Sequence, residues 1–301
     1  MKKKIRLIIS IVIILITLAV FAHYLTSHAS LLKQLTKTSP AIIIAIAFLY
    51  GCWFTSLAFI LHASLKLCLK KLTIKDNLLL TAYSTIVNFF VLGQGGPAVR
   101  GAYLKKKHDL QVRTYIFVTL LYLGLYGLVS AVLLVAGNEP WWLTLGVIIL
   151  IGLLGFFGSK FYIKKAKIDK ESLNLSYKNL AYLLGVTILQ SVIQIAIYFV
   201  ELHSVNHSIT LRQTITYTGA ANFALFVALT PGAIGIRETF LIFSERLHHI
   251  SSANIVSANI IDRSVFLVFL GVLSLAVAAF HAQEKLSIKQ SSKIGEKTKT
   301  V

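Results

Sequence analysis

The stretch 217–238, YTGAANFALFVALTPGAIGIRE, decides how this chain is read. Its apolar run from Ala220 to Leu229 stops at Thr230-Pro231-Gly232, passes a further glycine at Gly235 and ends on the adjacent opposite charges Arg237-Glu238. A bilayer holds no water for the backbone groups that such a break frees. The break therefore survives only where it is buried in protein or lines a wet cavity. An earlier stretch, 83–100, YSTIVNFFVLGQGGPAVR, has the same plan: an apolar arm, a break at Gly95, Gly96 and Pro97, then Arg100. Tyr83 and Tyr217, Asn88 and Asn222, Phe89 and Phe223, and Pro97 and Pro231 all fall at one offset of 134 residues. The shared order indicates a diverged repeat, and paired broken segments in two halves of a chain point to a transporter's binding site.

Composition agrees with a membrane setting. Of the 301 residues, 56% are hydrophobic and 14% charged, with mean hydropathy +0.76; a soluble chain carries about 25% charged residues. The net charge of +19 would suit nucleic acid. The lysines sit between apolar runs, however, so positive-inside topology and anionic lipid headgroups account for them better, and no nucleic-acid partner is expected. Cys52 and Cys68 are too far apart for a CxxC motif and read as reduced packing residues.

The fold expected is an all-α polytopic membrane protein with about six full transmembrane helices and two broken, re-entrant helical elements related as an inverted repeat. The full spans are placed at 7–22, 40–61, 115–136, 141–162, 180–200 and 260–280, each close to the ~20 residues that a bilayer requires. The broken elements cover about 77–104 and 212–250, within one integral domain over 1–281. Residues 282–301 read as a basic cytoplasmic tail without fixed structure. With both elements re-entrant and both termini inside, the amino-terminal lysines, Lys66 to Lys75, Arg100 to Arg113, the loop 160–178 and the tail all face the cytoplasm. Only Lys33, Lys37, Arg212, Arg237, Arg246 and Arg263 lie outside. This is a strong positive-inside bias, and it makes one element enter from each side.

Arg100, Arg237 and Arg263 stand at breaks or near helix starts, where each would cost about 2.5–3.5 kcal/mol if left unpaired at a helix centre. Each has an ordinary alternative: snorkelling for Arg100, neutralisation by Glu238 for Arg237 and by Asp262 for Arg263. Taken together, the guanidinium forks and the helix N-termini at the breaks suit a phosphate. Asn88 and Asn222, polar within apolar arms, either bond across helices or touch the substrate. The cluster Gly93-x-Gly95-Gly96 lacks the Lys-Ser/Thr of a P-loop. His203/His207 and His248-His249 make poor metal sites, so neither a metal nor a cofactor is expected.

With these residues in view, the chain resembles the lysylphosphatidylglycerol synthase transmembrane-region family of flippase-like proteins. The resemblance rests on Gly95-Gly96 to Arg100, on Pro231-Gly232-Ala233-Ile234-Gly235-Ile236-Arg237-Glu238 and on Arg263; Ala233 stands where the family's P-G-G-x-G-x-R-E has a second glycine. In larger members this region is joined to a soluble aminoacyl-transferase domain, for which the chain as given leaves no room after its last span. The resemblance implies a multi-pass protein of the bacterial plasma membrane that binds or translocates an anionic lipid. Arg100, Arg237 and Arg263 would grip phosphate, while Glu238 and Asp262 orient them or carry a coupling proton. The competing reading is a lysyltransferase-type enzyme, or the membrane partner of a separate soluble transferase or glycosyltransferase.

Overall fold

The computed structural model describes residues 38–90, 95–136, 172–226 and 236–297, with four helical positions between 142 and 149. The spans expected at 7–22 and, for the most part, at 141–162 lie outside the described residues, as do Pro231, Gly232 and Gly235. No strand occurs among the described residues. The helices are α1 (Pro40–Leu67), α2 (Ile74–Phe90), α3 (Gly95–His108), α4 (Val112–Ala136), α5 (Tyr177–Val205), α6 (Leu211–Phe226), α7 (Ile236–Phe243), α8 (Glu245–His248) and α9 (Ser252–Lys297).

Local chemistry explains where they start. Proline occupies the first turn of α1, where its missing N–H is not needed. Thr73 caps α2: its Oγ1 accepts the Asp76 N–H (3.1 Å) and donates to the Asp76 carboxylate (2.8 Å). Thr210 caps α6 in the same way, accepting the Gln213 N–H (3.3 Å), while the Gln213 Oε1 accepts the Thr210 N–H (2.9 Å). The second is a capping box, in which residues at each end of the first turn satisfy one another's backbone donors; in the first the return bond joins the two side chains. Ser176 caps α5 through the Asn179 N–H.

Four helices, α1, α4, α5 and the Ser252–Phe280 part of α9, are long and apolar enough to cross a membrane. Their outward faces are apolar as well: Ile44 and Phe48 on α1 and Val192 on α5 are exposed, as a lipid-facing surface requires. α1 continues to Leu67, beyond the end of the span expected at 40–61. Helical backbone in α9 runs through the polar stretch from Gln283 to Lys297, which composition reads as a disordered tail; its Glu, Gln and Lys are good helix formers.

Two apolar cores flank the centre of the molecule. One joins Ile46 and Tyr50 of α1 to Ile197, Tyr198 and Leu202 of α5, with Tyr217, Leu241 and the start of α9. The other joins Ile60 to Leu67 of α1 to Leu183 and Val186 of α5, with Leu80, Leu104 and the start of α4. The first half of α1 thus meets the second half of α5, and the reverse, so these two helices run antiparallel. The α2–α3 hairpin packs on α1, α4 and α9; the α6–α7 hairpin packs on α4, α5 and α9.

Candidate functional site: an arginine-lined cavity between the two hairpins

Midway along α1 and α5, between the two cores, lies a cavity of about 280 Å³. Arg100, Arg237, Arg263, Asp262 and Asn88 all border it, with Gly96 and Pro97 at the first break. Residues far apart in sequence, from both broken elements and from the last span, therefore share one space.

The first hairpin supplies one end. Asn88, near the end of α2, accepts the Gly96 N–H on its side-chain oxygen (3.3 Å) and so ties the start of α3 back to α2. A Cβ on Gly96 would lie 2.7 Å from the Ser84 carbonyl oxygen, so only glycine lets the two arms approach this closely. One turn further on, Arg100 donates from Nε to Ser84 Oγ at 2.7 Å. Arg100 has no carboxylate partner among the described residues.

The other end is a buried charge cluster. Arg237 on α7 and Asp262 on α9 form an ion pair at 2.7 Å, with both side chains almost wholly buried. The Tyr50 hydroxyl donates to the second oxygen of Asp262, and the guanidinium lies 5.1 Å from the Tyr198 ring centroid. Asp262 thus pairs across helices, with the arginine that follows the second break. In the low dielectric of the interior this geometry is needed to offset the desolvation of two ions.

Two groups that sequence reasoning passed over complete the cluster. Glu201, at the end of α5 and 1% exposed, sits beside Asp262, Arg237 and Arg263. The signal available in the sequence was an acidic residue closing an apolar span, which is a functional hypothesis by default. Tyr50 carried no such signal, since a tyrosine in an apolar run is ordinary. Along the cavity wall, Tyr122 and Tyr126 of α4 donate to Gln190 and Gln194 of α5 at 2.9 and 3.2 Å.

The remaining sequence-derived positions fall elsewhere. Asn222 is fully buried on α6, and its side-chain nitrogen and oxygen find no hydrogen-bond partner among the described residues; it does not border the cavity. Glu238 belongs to α7 by its backbone, and its side chain lies outside the described residues. His203 and His207 face one another at 4.9 Å between ring centroids, and no group of three metal-ligating side chains occurs among the described residues.

Long apolar helices, broken hairpins and a buried cationic cavity define a polytopic helical membrane protein with an internal polar site. The chain matches the model of the family described as "Lysylphosphatidylglycerol synthase TM region" over residues 7–274, and it belongs to that family. No curated protein matches it.

Proposed function

We propose that this protein binds the anionic headgroup of a membrane lipid in the cavity between its two hairpins and carries it across the bilayer in the manner of a flippase. The observation that carries the reading is that Arg100 and Arg237, each placed just after a chain break, face one cavity halfway along the central helices. Guanidinium groups held in a water-poor pocket suit phosphate. Arg100, bonded to the Ser84 and Tyr115 hydroxyls and with no carboxylate partner among the described residues, is the cation whose charge a headgroup would meet.

The same reading takes the two halves as an inverted repeat, the plan on which alternating access is built. Exchanging α1 with α5, α2 with α6, α3 with α7 and α4 with α9 maps the packing onto itself: α1–α2 matches α5–α6, α2–α3 matches α6–α7, α3–α4 matches α7–α9 and α1–α9 matches α5–α4. The antiparallel run of α1 and α5 supports inversion, as does the partition of lysines and arginines, which also favours six full spans with both termini in the cytoplasm of a bacterium.

The test is a translocation assay on purified protein in liposomes with fluorescent lipids, comparing wild type with Arg100→Ala. Movement of an anionic lipid that the variant lacks supports the proposal; a folded protein that moves none overturns it. A second reading, as the membrane partner of a soluble transferase, draws on the family's description as part of a synthase. Co-purification with an enzyme that is active only in its presence would favour it.

A further inference from the structure

The buried charge cluster contains one group that headgroup binding leaves without a task. Glu201, at the end of α5, is 1% exposed, and its Oε1 has no hydrogen-bond partner among the described residues. Its carboxyl group lies within hydrogen-bonding reach of the Asp262 carboxyl. Both Asp262 oxygens already accept, one from the Arg237 guanidinium at 2.7 Å and the other from the Tyr50 hydroxyl, which marks Asp262 as the ionised member of the pair. Were Glu201 ionised as well, two carboxylates would stand against each other and a bare anionic oxygen would sit in the interior. A proton on Glu201 relieves both, as it does where two carboxyl groups share one site.

The groups that face Glu201 are the hydroxyls of Tyr50 on α1, Tyr198 on its own helix and Tyr217 on α6, the guanidiniums of Arg237 on α7 and Arg263 on α9, and Asp262. Tyr126 on α4 reaches the cluster through Tyr198 and Arg237. Tyrosines are neutral at physiological pH, so the charge of the described cluster depends on the proton of Glu201. With it, two guanidiniums face one carboxylate and the cluster is cationic. Without it, two carboxylates match them. Arg237, Arg263, Asp262 and Tyr50 border the cavity. Glu201 does not, and reaches it through Asp262 and Tyr50, a short hydrogen-bonded route from the cavity to the buried carboxyl.

We propose that Glu201 is a proton-binding site that sets whether the cavity attracts an anion, so that a proton and an anion are taken up and released together. Protonated, Glu201 leaves excess positive charge on the wall; ionised, it matches that charge and the anion loses its counter-ion. The proton enters from the cavity, adds to a carboxylate oxygen and leaves by the same route, and no other bond is made or broken. Because coupling between two binding events is reciprocal, whatever the proton adds to anion affinity the anion adds to proton affinity. This rests on the headgroup-binding function above, and the experiment separates the two.

The full chain in detergent would be titrated with fluorescent phosphatidylglycerol, whose phosphodiester charge is fixed, from about pH 6.5 to about pH 9, a range that buried carboxyl groups reach. In the wild type, affinity is expected to fall as pH rises, by up to about tenfold per pH unit, the limit for one linked proton. Glu201→Gln, which copies the protonated acid and has no proton to lose, should bind as tightly at the alkaline end as at the lower one. Glu201→Asp should restore a slope. A merely structural Glu201 would change affinity at every pH and leave the slope intact. Infrared difference spectroscopy on lipid-free protein supplies the second measurement. It should show the C=O stretch of a protonated carboxylic acid, lost as pH is raised and absent from Glu201→Gln. A flat profile in the wild type, a slope that persists in Glu201→Gln, or no such band overturns this inference and leaves headgroup binding intact. Failure of the lipid to bind at any pH overturns the headgroup function and the linkage with it, while the band still decides whether Glu201 holds a proton.

Discussion

The arginines at the two breaks do different physical work, although the sequence presents them as counterparts. Arg237 is locked to Asp262 at 2.7 Å, with both side chains buried. Removing one member of such a pair leaves an uncompensated ion in the interior. Arg237→Ala is therefore expected to destabilise the fold by about 3–5 kcal/mol. Adding Asp262→Ala should restore part of that loss, as a double-mutant cycle of denaturant unfolding in detergent would measure. Additive losses would mean that the pair is not coupled. Arg100 bonds to hydroxyls, of Ser84 at 2.7 Å and of Tyr115, so Arg100→Ala should cost about 1.5–3 kcal/mol, the scale of hydrogen bonds to a charged group, while abolishing headgroup binding. A stability loss as large as that of Arg237→Ala would assign Arg100 a structural role instead. The sequence offered Glu238 as the neighbour to neutralise Arg237 and Arg263 as the neighbour of Asp262. Adjacent residues on a helix diverge by about 100°, whereas residues on packed helices meet, and that is where the Arg237–Asp262 pair forms.

At the scale of elements, both hairpins depend on how closely backbones approach. Gly219 on α6 faces α4 so closely that a Cβ would lie 2.4 Å from the Leu134 nitrogen, the small-residue contact typical of packed helices in membranes. Gly219→Ala should push α6 off α4, destabilise the protein by about 1–3 kcal/mol and lower its melting temperature in detergent; an unchanged melting point would show that the helices part freely. The α8 turn holds a second device. His248 is fully buried; its Nδ1 accepts the Ile250 N–H and its Nε2 faces the Leu241 carbonyl oxygen at 3.0 Å, an arrangement that fits the neutral ring. Burial holds the imidazole below its ordinary value of 6.5. Above pH 6.5 both folded and unfolded states are neutral and the stabilisation is complete. Below it the unfolded state takes up a proton that the folded site resists, so stability falls with falling pH. Hydrogen exchange of the Ile250 amide should accelerate, after correction for intrinsic rates, as pH drops below about 6.5, and His248→Gln should flatten the profile. The long apolar runs and the three arginines were legible because each is a local pattern. The Thr73 and Thr210 caps were equally local: in each, a threonine hydroxyl accepts the N–H of the residue three positions on. Tyr50 and Glu201 join the site only because α1 and α5 cross it, which no short-range pattern records.

For the whole molecule, the decisive property is the relative direction of its halves. The first half of α1 packs with the second half of α5, so the α1–α2 connector and the α5–α6 connector lie at opposite ends of this antiparallel pair. If the pair crosses the bilayer, the connectors face opposite sides, and the lysines at 66–75 assign the first to the cytoplasm. Lys71→Cys and His207→Cys, both at exposed positions, report this directly once Cys52 is replaced. Cys68 adds little background, because it is buried and its thiol is pushed up to about 12 by burial, which leaves almost no thiolate to react. A membrane-impermeant maleimide added to intact cells should modify the cysteine at 207 and reach the one at 71 only after permeabilisation. Labelling of both from one side would rule out the inverted arrangement, and with it the idea that each hairpin opens the shared cavity to its own face of the membrane. Labelling from opposite sides would put Arg100 and Arg237 on the two approaches to one site. An anionic headgroup could then pass from one arginine to the other without crossing hydrocarbon.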